Sequence, residues 1–157
     1  MGEIAGMSRD RTERVELTSL CMVYRGEELL LQNRVKTDWQ GYAFPGGHVE
    51  PGESIVDSVI REMREETGLT VANLRLCGVK QFPIPGGRYL VFLFKTDSFT
   101  GELHSSAEGT VEWIARGDLA KVPTVSDFMD MLAVFDRDDL TEFQYVIDNG
   151  IWSVILK

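Results

Sequence analysis

Glutamates are crowded into the segment GGHVEPGESIVDSVIREMREETGL, which covers residues 46–69. Glu62, Glu65 and Glu66 are spaced i, i+3 and i+4, so a helix places their carboxylates around one patch. Like charges at this spacing destabilise an isolated helix, and a bound cation removes the repulsion. Hard cations such as Mg²⁺ prefer oxygen ligands and bridge to phosphate oxygens. The spacing therefore predicts a metal site that works together with a phosphorylated substrate.

The element that must position these carboxylates is a helix predicted over residues 54–67. Gly68 follows it, where a left-handed C-terminal cap is expected. At about 100° per residue one apolar arc is formed by Ile55, Val56, Val59, Ile60 and Met63. The carboxylates begin at the edge of that arc. We therefore expect them to lie beside whatever the helix packs on, and not in bulk solvent.

Apolar and β-branched runs predict strands on both sides of this helix. The expected strands cover residues 15–24, 29–31, 74–82, 88–96, 110–115, 143–147 and 151–156. Residues 33–40 and 83–87 are predicted to be loops, because they are polar or rich in proline and glycine. A second helix is predicted over residues 125–135, with Ser126 near its N-cap. These elements predict one α/β domain with a mixed sheet over residues 14–157, after a flexible tail over residues 1–13.

Charge and composition limit the class of partner. The 157 residues carry a formal net charge of −9, so the surface does not suit a nucleic-acid polymer or an anionic membrane. The two cysteines, Cys21 and Cys77, are too few for a disulfide framework. There is neither a stretch of eighteen apolar residues nor a signal-peptide pattern. We expect a cytoplasmic protein whose phosphorylated ligand is neutralised by divalent metal.

Residues 47–69 resemble the signature of the Nudix hydrolase family. That signature is a glycine, five residues, a glutamate, seven residues, and then Arg-Glu-aliphatic-any-Glu-Glu-any-Gly-aliphatic. The chain supplies Gly47, Glu53 and then REMREETGL from Arg61, with Met63 where Leu, Ile or Val is commoner. The alternative, a solvated acidic helix face, explains EMREE alone but not the glycine, glutamate and arginine at their fixed separations. We call residues 47–69 the Nudix box.

The resemblance implies a mixed β-sheet sandwiched between α-helices (an α/β/α sandwich). It also implies hydrolysis of a phosphoanhydride by water, with a carboxylate and one or more Mg²⁺ or Mn²⁺ ions. The expected metal site consists of Gly47, Glu62, Glu65 and Glu66. Gly47 permits tight backbone near the metal, and Arg61 is placed to orient Glu53 by a two-pronged hydrogen bond. The general base is left open among Glu66, Glu53 and a glutamate downstream of the box.

Nudix enzymes of the MutT type often draw a further acidic residue from a loop after the central strands. Glu108, in SSAEGTVEW, is the first candidate for that catalytic or metal role, and an ordinary loop carboxylate is the alternative. Glu112 is the second candidate. Because Glu112 alternates with Val111 and Trp113 on a predicted strand, we expect it to face solvent.

Outside the box the chain is similar to the 8-oxo-dGTP diphosphatases in residues 95–101, in residues 106–108 followed by Trp113, and in a late acidic helix and a closing strand pair. The resemblance covers roughly residues 15–155, and only the box is specific. A purine pocket needs an aromatic or apolar wall and a few polar groups that contact the base edge. The candidates for substrate binding are Asn33, Tyr42, Phe44, Phe82 and Asp127. Core packing is the alternative for the aromatic residues, and a helix-dipole charge is the alternative for Asp127. Neither a pair of base-contacting acids nor an Asn at the expected place is evident, which departs from the oxidised-purine enzymes.

The sequence is compatible with three functions. The leading hypothesis is a metal-dependent pyrophosphohydrolase that cleaves a nucleoside triphosphate, such as 8-oxo-dGTP, to the monophosphate and pyrophosphate. The second keeps the chemistry but takes ADP-ribose or another nucleoside diphosphate derivative; the extra elements that this needs could come from the partner in a homodimer. The third, a non-catalytic nucleotide-sensing module, fits poorly because every box carboxylate is present.

Overall fold

The computed structural model describes residues 10–36 and 38–157. Within them lie two α-helices, α1 (Ile55–Thr67) and α2 (Phe128–Asp136), and a 3₁₀ helix (Arg116–Lys121). The strands, in chain order, are β1 (Arg14–Arg25), β2 (Glu28–Arg34), β3 (Gly41–Ala43), β4 (Gly46–His48), β5 (Thr70–Ala72), β6 (Arg75–Ile84), β7 (Gly87–Thr96), β8 (Ser98–Thr100), β9 (Gly109–Ala115), β10 (Glu142–Asp148) and β11 (Ile151–Leu156).

The main sheet is mixed. Its order is β11-β10-β6-β7-β1-β2-β3, with β4 paired to β1 and β9 paired to β2, while β5 and β8 form a separate two-stranded sheet. The pairs β1–β7 and β10–β6 are parallel, and the other pairs are antiparallel. Because β1 lies between β7 and β2 and also pairs with β4, it holds the start of the Nudix box against the centre of the sheet.

The two helices cover opposite faces of this sheet. Val59 and Met63 of α1 are buried in a cluster with Leu30, whereas Phe128 of α2 is buried in a cluster with Leu31. Successive side chains of a strand point to opposite faces, so β2 contributes to both layers. The sequence-based prediction of a mixed sheet sandwiched between helices is confirmed.

Local capping fixes both ends of α1. The side chain of Ser54 accepts a hydrogen bond from the Asp57 amide at 3.2 Å, and Gly68 (φ 82°) donates its amide to the Arg64 carbonyl at 3.0 Å. The predicted helix and its glycine cap are therefore confirmed. The predicted apolar arc is wrong at Val56, which is 45% exposed, because the buried face of α1 includes Glu66 instead.

Two other sequence-based boundaries are wrong. Helix α2 begins at Phe128 and not at residue 125. The amide of Val125 donates to the carbonyl of Tyr42 at 3.0 Å, so residue 125 pairs with the backbone of β3 and is not helical. Its N-cap is Asp127, in a left-handed conformation (φ 60°). Asn33 was expected to begin a loop, but β2 continues to Arg34 because both residues pair with β3 and β9.

The other predicted strands are present, whereas the sequence pattern does not predict β3, β4, β5, β8 or the 3₁₀ helix. The closing pair β10–β11 turns at Asn149 and Gly150, as predicted, while β6 and β7 extend into the predicted loop and leave a turn at Pro85 and Gly86. Residues 1–9 of the expected tail lie outside the described residues, and β1 begins at Arg14. Within the described part of the chain no helix is long and apolar enough to span a membrane.

Candidate active site

The site begins at Gly47, where the backbone of β4 passes directly over the side chain of Glu62. Register with β1 pairs Gly47 with Ser19 and so fixes the position of β4 on the sheet. A Cβ atom at residue 47 would lie 2.5 Å from both oxygens of the Glu62 carboxylate. The glycine is therefore required because a carboxylate of α1 occupies the space of a side chain.

We expect Gly47→Ala to lower turnover by about 100-fold, since a displacement of about 1 Å in a reacting arrangement can cost that much. The added methyl group must displace the Glu62 carboxylate or the β4 backbone. The control is Gly117→Ala, because a Cβ at residue 117 meets no atom within 4 Å. Steady-state kinetics of both variants test this, and equal turnover in the two would show that the Gly47–Glu62 contact is not needed.

Arg61 is the centre of the charged cluster. It donates two hydrogen bonds to Glu53, from Nε at 2.8 Å and from a terminal nitrogen at 2.9 Å. The same guanidinium donates to Glu62 at 3.0 Å, to Glu65 at 3.3 Å and to the carbonyl of His48 at 3.0 Å. The two-pronged bond predicted between Arg61 and Glu53 is confirmed. One side chain therefore joins the loop after β4 to the acidic edge of α1.

Glu53 is held in its ionised form. The hydrogen bonds from Arg61, followed by the bond from the backbone amide of Glu50, lower the pKa of Glu53 from 4.5 to about 2. A general base is most effective when its pKa lies near the working pH, and a carboxylate with so low a pKa is a weak proton acceptor. The geometry fits Glu53 as the group that orients Arg61.

The depressed pKa of Glu53 predicts a pH-dependent stability difference. Because the folded-state pKa lies below the ordinary value of 4.5, the stabilisation is complete above pH 4.5 and is lost as the pH falls towards about 2. We expect Glu53→Gln to unfold at a lower temperature than the parent at pH 7, with the gap closing between pH 4.5 and pH 2. Thermal unfolding of both proteins across this range measures the gap, and a constant gap would contradict the assignment.

Glu62 and Glu65 flank Arg61 in different environments. Burial raises the pKa of Glu62, and the hydrogen bond from Arg61 opposes that shift. The side chain of Glu65 is 57% exposed. Among residues 10–36 and 38–157, no three His, Cys, Asp or Glu side chains converge on one point as a closed metal cage would require. The guanidinium of Arg61 lies between the carboxylates of Glu62 and Glu65 and pairs with both of them.

Glu66 is turned away from Arg61 and towards the sheet. It is only 9% exposed, and its Oε2 accepts hydrogen bonds from Gln32 Nε2 at 2.7 Å and from Ser106 Oγ at 3.0 Å. Sequence reasoning missed both donors. The one available signal for Gln32 was a polar side chain directly after the apolar run Leu29–Leu31, on the strand face that packs under α1. The structure therefore fixes the orientation of a buried carboxylate at the centre of the box.

The structure brings Glu108 close to Glu66 through one hydroxyl group. Ser106 Oγ donates to Glu66 and accepts the backbone amide of Glu108 at 3.1 Å. The Glu108 carboxylate itself pairs with Lys36 at 2.8 Å. Glu112 is exposed, as predicted, and accepts a hydrogen bond from the hydroxyl of Tyr42. Of the two downstream candidates, Glu108 is the one linked to the box.

The five candidates for substrate binding separate into three places. Asn33 and Tyr42 pair directly across β2 and β3, and both are partly exposed. Phe44 is enclosed in the core at 2% exposure, with its ring 5.0 Å from that of Phe128. Phe44 therefore packs in the core, which is the alternative that the sequence leaves open for the aromatic residues. Its ring offers no surface to a base. The sequence suggests Phe44 as a substrate contact only because it lies next to the box.

Phe82 and Asp127 lie together on the α2 side of the sheet. The ring of Phe82 stacks on Tyr89, with 4.8 Å between centroids, and meets Tyr145 edge-on at 6.1 Å. The hydroxyl of Tyr145 donates to Asp127 Oδ2 at 2.7 Å. Sequence reasoning had not connected these two residues, because Tyr145 links them from a strand near the end of the chain.

Comparison with known proteins decides the family. The family model of the NUDIX domain matches residues 16–133, a range that contains the whole box and most of the sheet. The chain belongs to the Nudix family. The prediction made from residues 47–69 is thereby confirmed.

Relatives and solved structures agree with this assignment. The chain is 38% identical over 109 residues to the uncharacterised Nudix hydrolase YvcI of Bacillus subtilis, covering 66% of this chain and 68% of that protein. It is 36% identical over 112 residues to the NAD-capped RNA hydrolase NudC of Pseudomonas aeruginosa, covering 70% of this chain but only 40% of NudC. The crystal structure of a mutator MutT protein from Bacillus halodurans superposes with a TM-score of 0.73 at 30% identity, covering 90% of this chain and 97% of that one.

This Nudix chain is accordingly a hydrolase that acts on phosphoanhydride bonds of nucleotide derivatives. Nudix hydrolases generally use divalent cations, which agrees with the all-carboxylate donor set of the box. MutT-like proteins have the same sandwich of helices around a mixed sheet, so the fold and the enzyme class predicted from sequence are both confirmed.

Proposed function

We propose that this Nudix hydrolase cleaves a nucleoside triphosphate to the monophosphate and pyrophosphate, with Mg²⁺ or Mn²⁺, and that 8-oxo-dGTP is a candidate substrate. The observation that carries the proposal is the single cluster in which Arg61 contacts Glu53, Glu62 and Glu65 while Glu66 is oriented separately. The likeness of this chain to a mutator MutT protein, which extends over most of both chains, supports a nucleoside triphosphate as the substrate class.

The donor set suits a hard divalent cation. Glu62, Glu65 and Glu66 offer only carboxylate oxygens, the ligand type that Mg²⁺ prefers, and the missing side chain at Gly47 leaves room for Glu62 beside the backbone. When bound, the cation neutralises phosphate charge and makes water a stronger nucleophile. Arg61 pairs with Glu62 and Glu65 as well as with Glu53, so its positive charge offsets the repulsion between these carboxylates in the metal-free protein.

The remaining roles follow from position. Glu66 is the proposed proton acceptor for the attacking water, since Gln32 and Ser106 hold one of its oxygens and so fix the direction of the carboxylate. Glu53 is proposed as a positioning residue that acts through Arg61. Glu108, paired with Lys36, is proposed to assist at the open side of the box. Asn33, Tyr42, Phe82 and Asp127 remain the proposed substrate contacts.

The test is product analysis in water enriched in ¹⁸O. With dGTP or 8-oxo-dGTP and Mg²⁺, we expect one heavy oxygen in either the monophosphate or the pyrophosphate, and no release of single phosphate. Release of inorganic phosphate and a diphosphate would contradict the proposed cleavage, as would turnover that persists in excess chelator.

A further inference from the structure

Strand β11 is the outermost strand of the main sheet, at the end opposite to β3. It lies beside β10 in an antiparallel register that pairs Ile151 with Asp148 and Leu156 with Phe143, without a bulge between them. Among residues 10–36 and 38–157, no strand pairs with the other edge of β11. A regular, open edge of this kind is a template to which a further strand adds by backbone hydrogen bonds.

Alternate residues of β11 direct their backbone groups away from β10. Lys157, directly after the strand, exchanges two backbone hydrogen bonds with Glu142 of β10, at 2.9 and 3.0 Å. In an antiparallel ladder, the residues that bond to a given neighbour alternate along the strand. The backbone groups of Trp152, Val154 and Leu156 therefore point outwards. Each of these residues presents an N–H donor and a C=O acceptor along the open edge.

The composition of β11 lacks the features by which proteins usually protect an edge strand. Residues 151–156 read IWSVIL, with neither a charged residue nor a proline. Native edges are commonly interrupted by lysine, proline or a bulge, because a flat apolar edge pairs with other chains. Large apolar side chains are also exposed here, at 70% for Ile151, 49% for Trp152 and 40% for Ile155. These properties favour an edge that is paired in solution.

Charge favours a second copy of this chain as the partner. The chain has a formal net charge of −9, so two copies repel each other over most of their surfaces, whereas a basic partner would be attracted to the acidic surface elsewhere. The uncharged strand β11 is where two copies meet with the least repulsion. Asp148 lies across from Ile151 at one end of the strand, and Lys157 follows its other end. An antiparallel pair of β11 strands therefore brings the basic end of each copy towards the acidic end of the other.

We propose that two copies of this chain associate through their β11 strands, in an antiparallel pair that joins the two main sheets into one. Directly opposite residues lie on the same face of a sheet, so a two-fold axis normal to the sheet must place one residue opposite its own copy. An axis at Val154 pairs every outward backbone group. Val154 then lies opposite itself, and Trp152 lies opposite Leu156 of the second copy.

This register also brings apolar side chains together on both faces of the joined sheet. Val154 and Leu156 pack against the buried cluster that contains α2, so Ser153 and Ile155 lie on the other face. There the register places Ile155 opposite Ser153 of the second copy. One pair of strands buries less than the usual interface of about 1,600 Å², so we expect a dissociation constant on the order of micromolar.

The first test is sedimentation equilibrium of the full chain over a range of concentrations, in which the mass should rise from that of one chain to that of two. Ser153→Lys combined with Ile155→Lys places like charges opposite each other and should weaken association by about 100-fold or more. Both side chains are exposed, so the monomer should fold normally. The corresponding pair of glutamate substitutions should have the same effect, and an equimolar mixture of the lysine and glutamate proteins should associate again. The control is Val35→Lys combined with Met129→Lys, at side chains that are 61% and 60% exposed and far from β11, and it should associate as the parent does.

Amide hydrogen exchange of individual residues distinguishes pairing of the strands from any other contact between two copies. The outward amides of Trp152, Val154 and Leu156 should exchange about tenfold more slowly, or slower still, in the dimer than in the dilute monomer. The amides of Ser153 and Ile155 bond to β10 and should exchange at the same rate in both, so they are internal controls. A chain that stays monomeric at about 1 mM, a thousandfold above the expected micromolar constant, overturns the inference and leaves the edge to a strand of another protein. A dimer in which the outward amides exchange as fast as in the monomer overturns it as well.

Discussion

Replacing Glu66 by glutamine is expected to lower turnover by about 100-fold or more, the usual scale for loss of a general base. The amide keeps the shape of the side chain and an oxygen that can accept from Gln32 and Ser106. It cannot accept a proton from water, and it removes one negative charge from the box. Because repulsion with Glu62 and Glu65 falls, the metal-free protein should unfold at the same temperature or higher.

The measurement is steady-state kinetics with saturating Mg²⁺ beside thermal unfolding without metal. Glu102→Gln is the matched control, since Glu102 is an exposed carboxylate outside the box. We expect the control to have parental activity. Near-normal turnover in Glu66→Gln would remove this residue from the reaction and leave Glu108 as the remaining candidate for the base.

Phe44→Ala is expected to destabilise the fold by about 3–5 kcal/mol, the usual cost of truncating a buried aromatic side chain. Phe44 is 2% exposed and contacts two rings of α2, Phe128 at 5.0 Å and Phe135 at 4.8 Å between centroids. Its removal leaves a cavity between the sheet and that helix. Chemical denaturation gives the change in the free energy of unfolding directly.

Phe82→Ala is the comparison that separates core packing from base binding. Phe82 is only partly buried and stacks on Tyr89 at the surface of the sheet. We expect a smaller loss of stability than in Phe44→Ala, together with a raised KM for the nucleotide. A raised KM in Phe44→Ala at unchanged stability would mean that Phe44 contacts the base after all.

The Nudix box was predictable because its determinants are local. Ser54 and Gly68 cap one helix, and the spacing of the glutamates on that helix is fixed by its 3.6-residue period. The bond between Arg61 and Glu53 spans only eight residues of sequence. Each of these features follows from sequence neighbours, so the sequence alone was sufficient to predict it.

The groups that complete the site were not predictable, because they come from distant parts of the chain. Gln32 contacts Glu66 because β2 packs under α1, and Ser106 lies in the loop that precedes β9. Phe82 and Asp127 are brought together by Tyr145, whose strand β10 pairs in parallel with β6. Long-range register of this kind has no signature in local spacing.

Substrate comparison tests the central claim most directly. The purified protein with Mg²⁺ should be given 8-oxo-dGTP, the four normal dNTPs, ADP-ribose, NAD and a diadenosine polyphosphate, and all products identified. We expect conversion of triphosphates to monophosphate and pyrophosphate, and a fast reaction with 8-oxo-dGTP would make this protein a nucleotide-sanitising enzyme. Turnover confined to ADP-ribose, NAD or the dinucleotide, with every triphosphate left intact, would contradict it.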